Sequence, residues 1–206
     1  MTTRLSIFPL AGALLFPRMH LPLHIFEPRY RALVSDAMAR DRRIGMIQPR
    51  GASERDQSPP LFDLGCVGRI VEVEALDDGR FDIVLEGQAL FHVARELEVT
   101  TAFRQVEADL LPLKDEPEIL SIAHRAALET ESRRFADAQG YAVDWDSVGR
   151  LDDEALVNGI SQIAPFDSAA KQALLEATDL AERAELIVQL MQFFGRHDGE
   201  DRVTLQ

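Results

Sequence analysis

The sequence has 206 residues, of which 46% are hydrophobic, which suits one large domain or two small ones with an ordinary core. Its 35 Asp and Glu residues outnumber 22 Lys and Arg residues, so the formal net charge is −13. A surface this acidic repels phosphate groups, which argues against nucleic acid and anionic membrane surfaces as partners.

The N-terminal stretch and the cysteine count indicate a cytoplasmic protein. Cys66 is the only cysteine, so no intramolecular disulfide can form, and we expect this thiol to be a packing residue. The uncharged run from Leu5 to Pro17 is too short to span a bilayer. Pro9 interrupts it, which disfavours the alternative of a signal peptide.

The first elements predicted along the chain are two extended segments and a helix. "RLSIFPL" is typical of a strand, and "LFPRMHLPLHIF" is predicted to be extended because proline disfavours helix. Pro28 suits the first turn of a helix with Glu27 at its cap. One apolar helical face follows, formed by Tyr30, Leu33, Val34, Ala37 and Met38. "IGMIQ" is then predicted to be a strand.

Short strands continue up to about residue 114. The polar segment 49–60 is predicted to be a mobile loop. "LGCVGRIVEVEAL" predicts a strand and "DDGR" a hairpin turn. "FDIVLEG" and "ALFHVARELEV" are predicted to be two returning strands with a bulge or turn at Gly87, and "FRQVEADLLPL" the last strand. Six or so strands with one early helix favour a small, partly closed β-barrel.

The sequence after Lys114 has helical periodicity with few breakers, so we predict domains at 1–114 and 115–206. Four helices are expected: one opened by Pro117 and running towards Gly140, and three with aspartate caps near their starts. The last of these is expected to end near Gly195. Its apolar stripe is predicted to be core and comprises Leu180, Ala184, Ile187, Met191 and Phe194.

Common catalytic and cofactor motifs are missing from the sequence. It contains no GxxxxGK[ST], GxGxxG or GxSxG pattern, and only two lysines. His20 and His24 stand four residues apart, but Pro22 lies between them in an extended segment, so their spacing does not indicate a metal site. We therefore predict no catalytic residues, no metal and no cofactor.

The stretch from Phe8 to Met46, which includes "PLHIFEPRY", closely resembles the N-terminal substrate-binding domain of the Lon ATP-dependent proteases. "LGCVGRIVEVEALDDGRFDIVLEGQALFHV" is similar to a later part of that domain, and "KQALLEATDLAERAELIVQLM" resembles its helices more weakly. The sequence departs from the family pattern at two places. Ala89 and Leu90 stand where the family usually has an arginine before the phenylalanine, and Ala102 and Phe103 stand where a tyrosine is common.

The resemblance implies an α+β fold, in which a barrel of the pseudouridine-synthase-and-archaeosine-transglycosylase-like (PUA-like) type precedes an α-helical bundle. Lon proteases continue into ATPase and Ser–Lys protease modules, which these 206 residues lack. We therefore expect a non-catalytic module that binds exposed apolar segments of other polypeptides, alone or with an ATPase or protease in trans. The alternatives are a small-molecule-binding or enzymatic domain on this scaffold and, against the acidic charge, an RNA-binding protein.

The family motif supplies the candidate site residues: Pro22, His24, Ile25, Phe26, Glu27, Pro28, Arg29 and Tyr30. We expect Ile25 and Phe26 to lie in the core and Tyr30 to pack the helix onto the strands. Glu27 and Arg29 are expected to make charge-assisted contacts with a strand or a cap. This structural interpretation stands beside two others, a peptide-binding role for the exposed part of the motif and a catalytic role.

Overall fold

The computed structural model describes residues 2–51, 58–111, 113 and 116–201. The chain divides into two compact units, residues 1–115 and 116–206, which we call the strand unit and the helical unit.

In the strand unit, the described residues form a six-stranded sheet and one helix. The elements are β1 (Thr2–Pro9), β2 (His20–Ile25), α1 (Pro28–Met38), β3 (Arg43–Ile47), β4 (Leu64–Ala75), β5 (Phe81–Glu96) and β6 (Gln105–Leu111). The α+β class predicted from the sequence is confirmed. Of the segment 49–60, predicted to be a mobile loop, residues 52–57 lie outside the described residues, and Pro49 forms an isolated antiparallel bridge with Leu61.

Five of the six strands close into a ring. β1 runs parallel to β3 and antiparallel to β6, β4 is antiparallel to both β3 and β5, and β5 pairs with β6 to complete the ring. β2 lies outside this ring and pairs antiparallel with the first half of β5. β5 therefore has β4 along one edge, and β2 followed by β6 along the other.

Two strands separated at Gly87 were predicted for the region of β5, but the structure has one strand of 16 residues. The predicted irregularity is present, because the register shifts so that Gln88 is the extra residue opposite Val67 and Gly68. A Cβ on Gly87 would lie 2.0 Å from the carbonyl oxygen of Phe16. Glycine is required here because only its absent side chain allows that approach.

Helix α1 covers one side of the sheet with the apolar face that the sequence predicts. Tyr30, Leu33, Val34 and Ala37 are buried in a cluster with strand residues such as Ile44. Cys66 is buried in the same cluster, and burial raises the pKa of its thiol. This agrees with its prediction as a packing residue. A second cluster is formed by residues of the five ring strands and comprises Leu5, Ile7, Ile47, Val67, Phe91, Val106 and Ala108.

The described part of the helical unit, residues 116–201, contains five helices: α2 (Ile122–Gln139), α3 (Trp145–Val148), α4 (Asp153–Ile163), α5 (Ser168–Glu176) and α6 (Leu180–Asp201). Local capping explains several starts, since Asp152 accepts a hydrogen bond from the backbone N–H of Ala155 and Asp167 from that of Ala170. None of the helices in the described part of the chain is long and apolar enough to cross a membrane.

Three details of the helix prediction are wrong. α2 begins after Ser121, whose hydroxyl accepts from the N–H of His124, and not at Pro117. α3 was not expected, although the side chain of Asp144 caps it. α6 continues past Gly195, where the sequence suggested an end. A single glycine lowers helix stability only by about 1 kcal/mol, which the neighbouring turns can offset.

Candidate functional site

The family motif forms the corner between β2 and α1. Pro22, His24 and Ile25 lie on β2, an edge strand on which proline's missing N–H is tolerated. Phe26 and Glu27 connect the strand to the helix, and Pro28 is the first helical residue. The remaining motif residues, Arg29 and Tyr30, lie in the first turn of α1.

The start of α1 combines backbone and side-chain contacts. The carbonyl of Glu27 accepts from the N–H groups of Tyr30 and Arg31 at 3.0 and 2.9 Å. The Nε of Arg29 donates to the Glu27 carboxylate at 3.0 Å, and its guanidinium lies 4.6 Å from the centre of the Tyr30 ring. Burial raises the pKa of Tyr30, whose ring packs 4.0 Å from that of Phe8. Tyr30 thus packs α1 onto β1, as expected.

The C-terminal end of β2 contacts the β4–β5 hairpin through polar side chains. The Nδ1 of His24 lies 2.5 Å from a carboxylate oxygen of Asp82, and Nε2 lies 3.2 Å from the guanidinium of Arg80. Arg80 also donates to Asp78 in the turn at 2.6 Å. Among the described residues, no group of three or more His, Cys, Asp and Glu side chains is placed to hold a metal ion.

Phe26 does not lie in the core, so that part of the sequence prediction is wrong. Its side chain is 61% exposed, whereas Ile25 beside it is 1% exposed. Phe26 lies past the last residue of β2, and its ring is 6.2 Å from that of His24. Ile25 is the last residue of β2 that pairs with β5, and its side chain is buried, whereas Phe26 lies beyond this pairing. A shallow groove of about 410 Å³ runs beside this corner, lined partly by Pro22 and His24.

A larger apolar cavity, of about 560 Å³, lies entirely within the helical unit. It is lined by Ser132, Phe135, Ala136, Gly140, Tyr141, Ala142, Val143, Trp145, Val148, Leu151, Ala155, Leu156, Gly159, Ile160, Ile163, Ala164, Pro165 and Met191. Its volume falls within the range of about 300–1,000 Å³ that is usual for ligand pockets. We call it the helical-unit cavity.

One wall of the helical-unit cavity is the segment from Gly140 to Leu151, which includes α3. Gly140 ends α2 in the left-handed conformation, with φ of 73°, and so turns the chain out of the helix. Asp144 then caps α3, and hydrogen bonds from Ser147 lower the pKa of its carboxyl. The guanidinium of Arg133 lies over the ring of Trp145 at 4.5 Å, which fixes this wall against α2.

Another part of the lining comes from α4, and the buried side chains of the lining form its floor. Ala155, Gly159 and Ile163 follow at four-residue spacing and so share one face of α4. Phe135 and Met191 are among the buried residues of the floor. The rim is more open, since Tyr141, Val143, Leu151 and Ile163 are among the exposed large hydrophobic residues.

The chemistry of this lining is suited to burying apolar groups. Among the described residues that line the cavity, none is Asp, Glu, His, Lys, Arg or Cys. Of these residues, only Ser132, Tyr141 and Trp145 have a nitrogen or oxygen atom in their side chains, and the Ser132 hydroxyl lies 3.7 Å from the sulfur of Met191. The hydroxyl groups of Ser132 and Tyr141 have no carboxylate, imidazole, amine or thiol beside them in the described lining, so this lining holds no acid–base pair and no activated nucleophile.

This cavity was not predicted from the sequence. Met191 was predicted to lie in a core stripe, which is correct for a residue that is 4% exposed, but residues 141–151 were given no role. The available signal was a run of apolar side chains in a segment rich in Asp and Gly: Tyr141, Val143, Trp145, Val148 and Leu151. Tyr141, Val143 and Trp145 alternate over only five residues, and Val148 and Leu151 then follow at three-residue spacing, so neither a strand period nor a helix period continues through the segment.

Two solved structures similar to this chain are N-terminal domains of Lon. The crystal structure of a Lon N-terminal domain protein from Xanthomonas campestris superimposes with a TM-score of 0.67 at 21% identity, covering 91% of this chain and 98% of that one. The N-terminal domain of a Mycobacterium avium complex Lon protease gives 0.66 at 19% identity, covering 92% and 98%. At identities of 21% and 19%, the structural similarity shows the fold alone.

The family model for the ATP-dependent protease La (LON) substrate-binding domain matches residues 4–192, and the chain belongs to this family. The resemblance noted in the sequence is thereby confirmed. Similar full-length proteins include Lon protease 2 of Myxococcus xanthus, 28% identical over 197 residues, and the Lon protease of Xanthomonas oryzae pv. oryzae, 26% identical over 199 residues. Each alignment covers 91% of this chain but only 23% and 22% of the relative.

Proposed function

We propose that this chain is a non-catalytic recognition module that binds exposed apolar segments of other polypeptides in the helical-unit cavity. The observation that carries the proposal is the apolar cavity itself, with exposed hydrophobic residues at its rim. Membership in a family described as a substrate-binding domain supports the same class of ligand. The bound polypeptides would be presented to an ATPase or protease, in the same chain or in trans.

The energetics of the lining favour an apolar ligand. Burying an aliphatic or aromatic side chain contributes about 1.5–3 kcal/mol when water is removed from both surfaces. The Ile163 side chain is 79% exposed without a ligand, so most of its surface is available for burial. Contiguous exposed apolar surface of this kind marks interaction sites on soluble proteins.

Trp145 provides a direct assay, because it is the only tryptophan of the chain and lines the cavity. Titration with tryptophan-free apolar peptides from an array should change its fluorescence in a saturable way, with calorimetry as the second measurement. Natively folded protein and RNA serve as negative ligands. Saturable RNA binding without peptide binding would overturn the proposal, as would silence across the peptide array.

Two variants of one residue type locate the site. Ile163→Ser removes a rim contact and should weaken peptide binding by about tenfold, the equivalent of losing about 1.4 kcal/mol. Ile122→Ser is the matched control, because Ile122 is 91% exposed in the same unit and does not line the cavity. Equal weakening by both variants would place binding elsewhere.

A further inference from the structure

We infer that the occupant of the helical-unit cavity is an amphipathic α-helical segment whose polar face is basic. The inference rests on the proposed function and specifies the class of polypeptide that the cavity takes. It follows from two properties of the helical unit, the composition of the cavity lining and the sign of the surrounding charge.

The lining favours a ligand whose backbone N–H and C=O groups are hydrogen-bonded to one another. Of the 18 residues that line the cavity, 15 have no nitrogen or oxygen in their side chains. An extended peptide obtains its backbone hydrogen bonds from the edge of a sheet, and residues 116–201 contain no strand. In this cavity it would bury N–H and C=O groups against hydrocarbon, at a cost in free energy. A helix pairs these groups internally and presents only side chains.

The charge of the helical unit favours a cationic polar face. Residues 116–206 contain 18 Asp and Glu residues against 8 Lys and Arg residues, so this unit carries most of the net negative charge of the chain. Four exposed acidic residues lie within or next to the segment 140–151 that forms one wall of the cavity: Asp137, Asp144, Asp146 and Asp152. Arg133, which lies over Trp145, and Arg150, whose Nε donates to the carbonyl of Asp146, bring positive charge to the same wall, but they are outnumbered by these four acidic residues. Charge complementarity therefore selects a basic partner.

Three synthetic peptides of about 18 residues, enough for several helical turns, separate the two parts of the inference. The first has leucines on one helical face and lysines on the other. The second replaces every lysine by glutamate, and the third keeps the lysines and leucines but places two prolines at its centre to prevent a helix. None contains tryptophan, so Trp145 fluorescence reports binding to the intact chain.

We expect the first peptide to bind at least about tenfold more tightly than either of the others, and added salt to weaken it. If the proline peptide binds equally well, the helical occupant is wrong although apolar recognition stands. If the glutamate peptide binds equally well, the basic face is wrong. Failure of all three, together with silence across the peptide array, would overturn the proposed function itself.

Two protein variants establish that the basic helix occupies the cavity and does not merely adhere to an acidic surface. Ala155→Phe places a ring into the cavity and should reduce binding of the first peptide by at least about tenfold. Ile163→Ser, at an exposed position, gives the same test without risk to folding. Binding that survives both variants, but is lost in salt, would show a surface electrostatic contact and overturn the inference.

Discussion

Ile25 and Phe26 are adjacent but lie in different environments. Ile25 ends β2 with 1% of its surface exposed, and Phe26 lies beyond the strand with 61% exposed. We expect Ile25→Ala to lower the free energy of unfolding by about 2–5 kcal/mol, because it leaves a cavity in a packed cluster. Phe26→Ala should change it by no more than about 0.5 kcal/mol. Guanidinium unfolding curves measure both values.

The comparison of these two variants also bears on the role of the family motif. A large loss for Phe26→Ala would contradict the exposed position and restore the core role predicted from the sequence. If Phe26→Ala is neutral for stability but weakens peptide binding, the motif contributes a second contact surface in the strand unit. Peptide titrations on both variants therefore distinguish a structural corner from a binding one.

Arg183 joins three helices of the helical unit from a buried position. Its Nε donates to the carbonyl of Leu174 on α5 at 2.8 Å, and a terminal nitrogen donates to the side chain of Asn158 on α4 at 2.8 Å. The other terminal nitrogen lies 3.3 Å from the carbonyl of Ala177, just after α5. The planar guanidinium is suited to this arrangement because it holds its donors in a fixed fork.

Removal of Arg183 should therefore loosen the helical unit. We expect Arg183→Met to lower the free energy of unfolding by about 3 kcal/mol, because buried acceptors lose a charged donor. Arg183→Lys should recover only part of this loss. The control is Arg150→Met, at an exposed position, with an effect within about 0.5 kcal/mol. Unchanged stability of Arg183→Met would mean that apolar packing compensates for the lost hydrogen bonds.

Elements defined by local interactions could be predicted from the sequence, and those that depend on distant residues could not. The caps at Asp152 and Asp167 act within three residues, so the starts of α4 and α5 were predictable. Pro117 marked a plausible helix start, but Glu118 beside it is engaged elsewhere, because its carboxylate accepts from the N–H of Leu180. That contact joins residues 62 positions apart and leaves no sequence signal.

The candidate site follows the same division. The corner between β2 and α1 was predictable because proline and a cap fix its backbone locally. The helical-unit cavity was not, because its lining extends from Ser132 to Met191 and forms only when several helices and the α3 segment assemble. In the sequence, none of these side chains taken alone can be distinguished from an ordinary core residue.

At the scale of the whole molecule, charge is the dominant property. The net charge of −13 and a pI of about 4.8 mean that acidification neutralises the protein within the range in which carboxylates titrate. Several carboxylates in both units are held by hydrogen bonds that lower their pKa, among them Glu96, Glu107 and Glu182. Each such group stabilises the fold only while it is ionised.

Glu96 gives the sharpest test of this acid sensitivity. Arg104 donates to both of its carboxylate oxygens at 2.6 Å, which lowers the pKa of Glu96, and also donates to the carbonyl of Pro59 at 2.8 Å. The stabilising contribution of the ionised Glu96 carboxylate is complete above the pKa of about 4.3 that it has in the unfolded chain. This contribution is lost as the pH falls through the lower pKa of the folded state.

Glu96→Gln should therefore be less stable than wild type at neutral pH, by less than about 1 kcal/mol, and this difference should disappear in acid. Guanidinium unfolding at a series of pH values measures it, and the exposed neighbour Glu98, changed to Gln, is the control. A difference that persists below the folded pKa would show that the loss comes from packing and not from the ion pair.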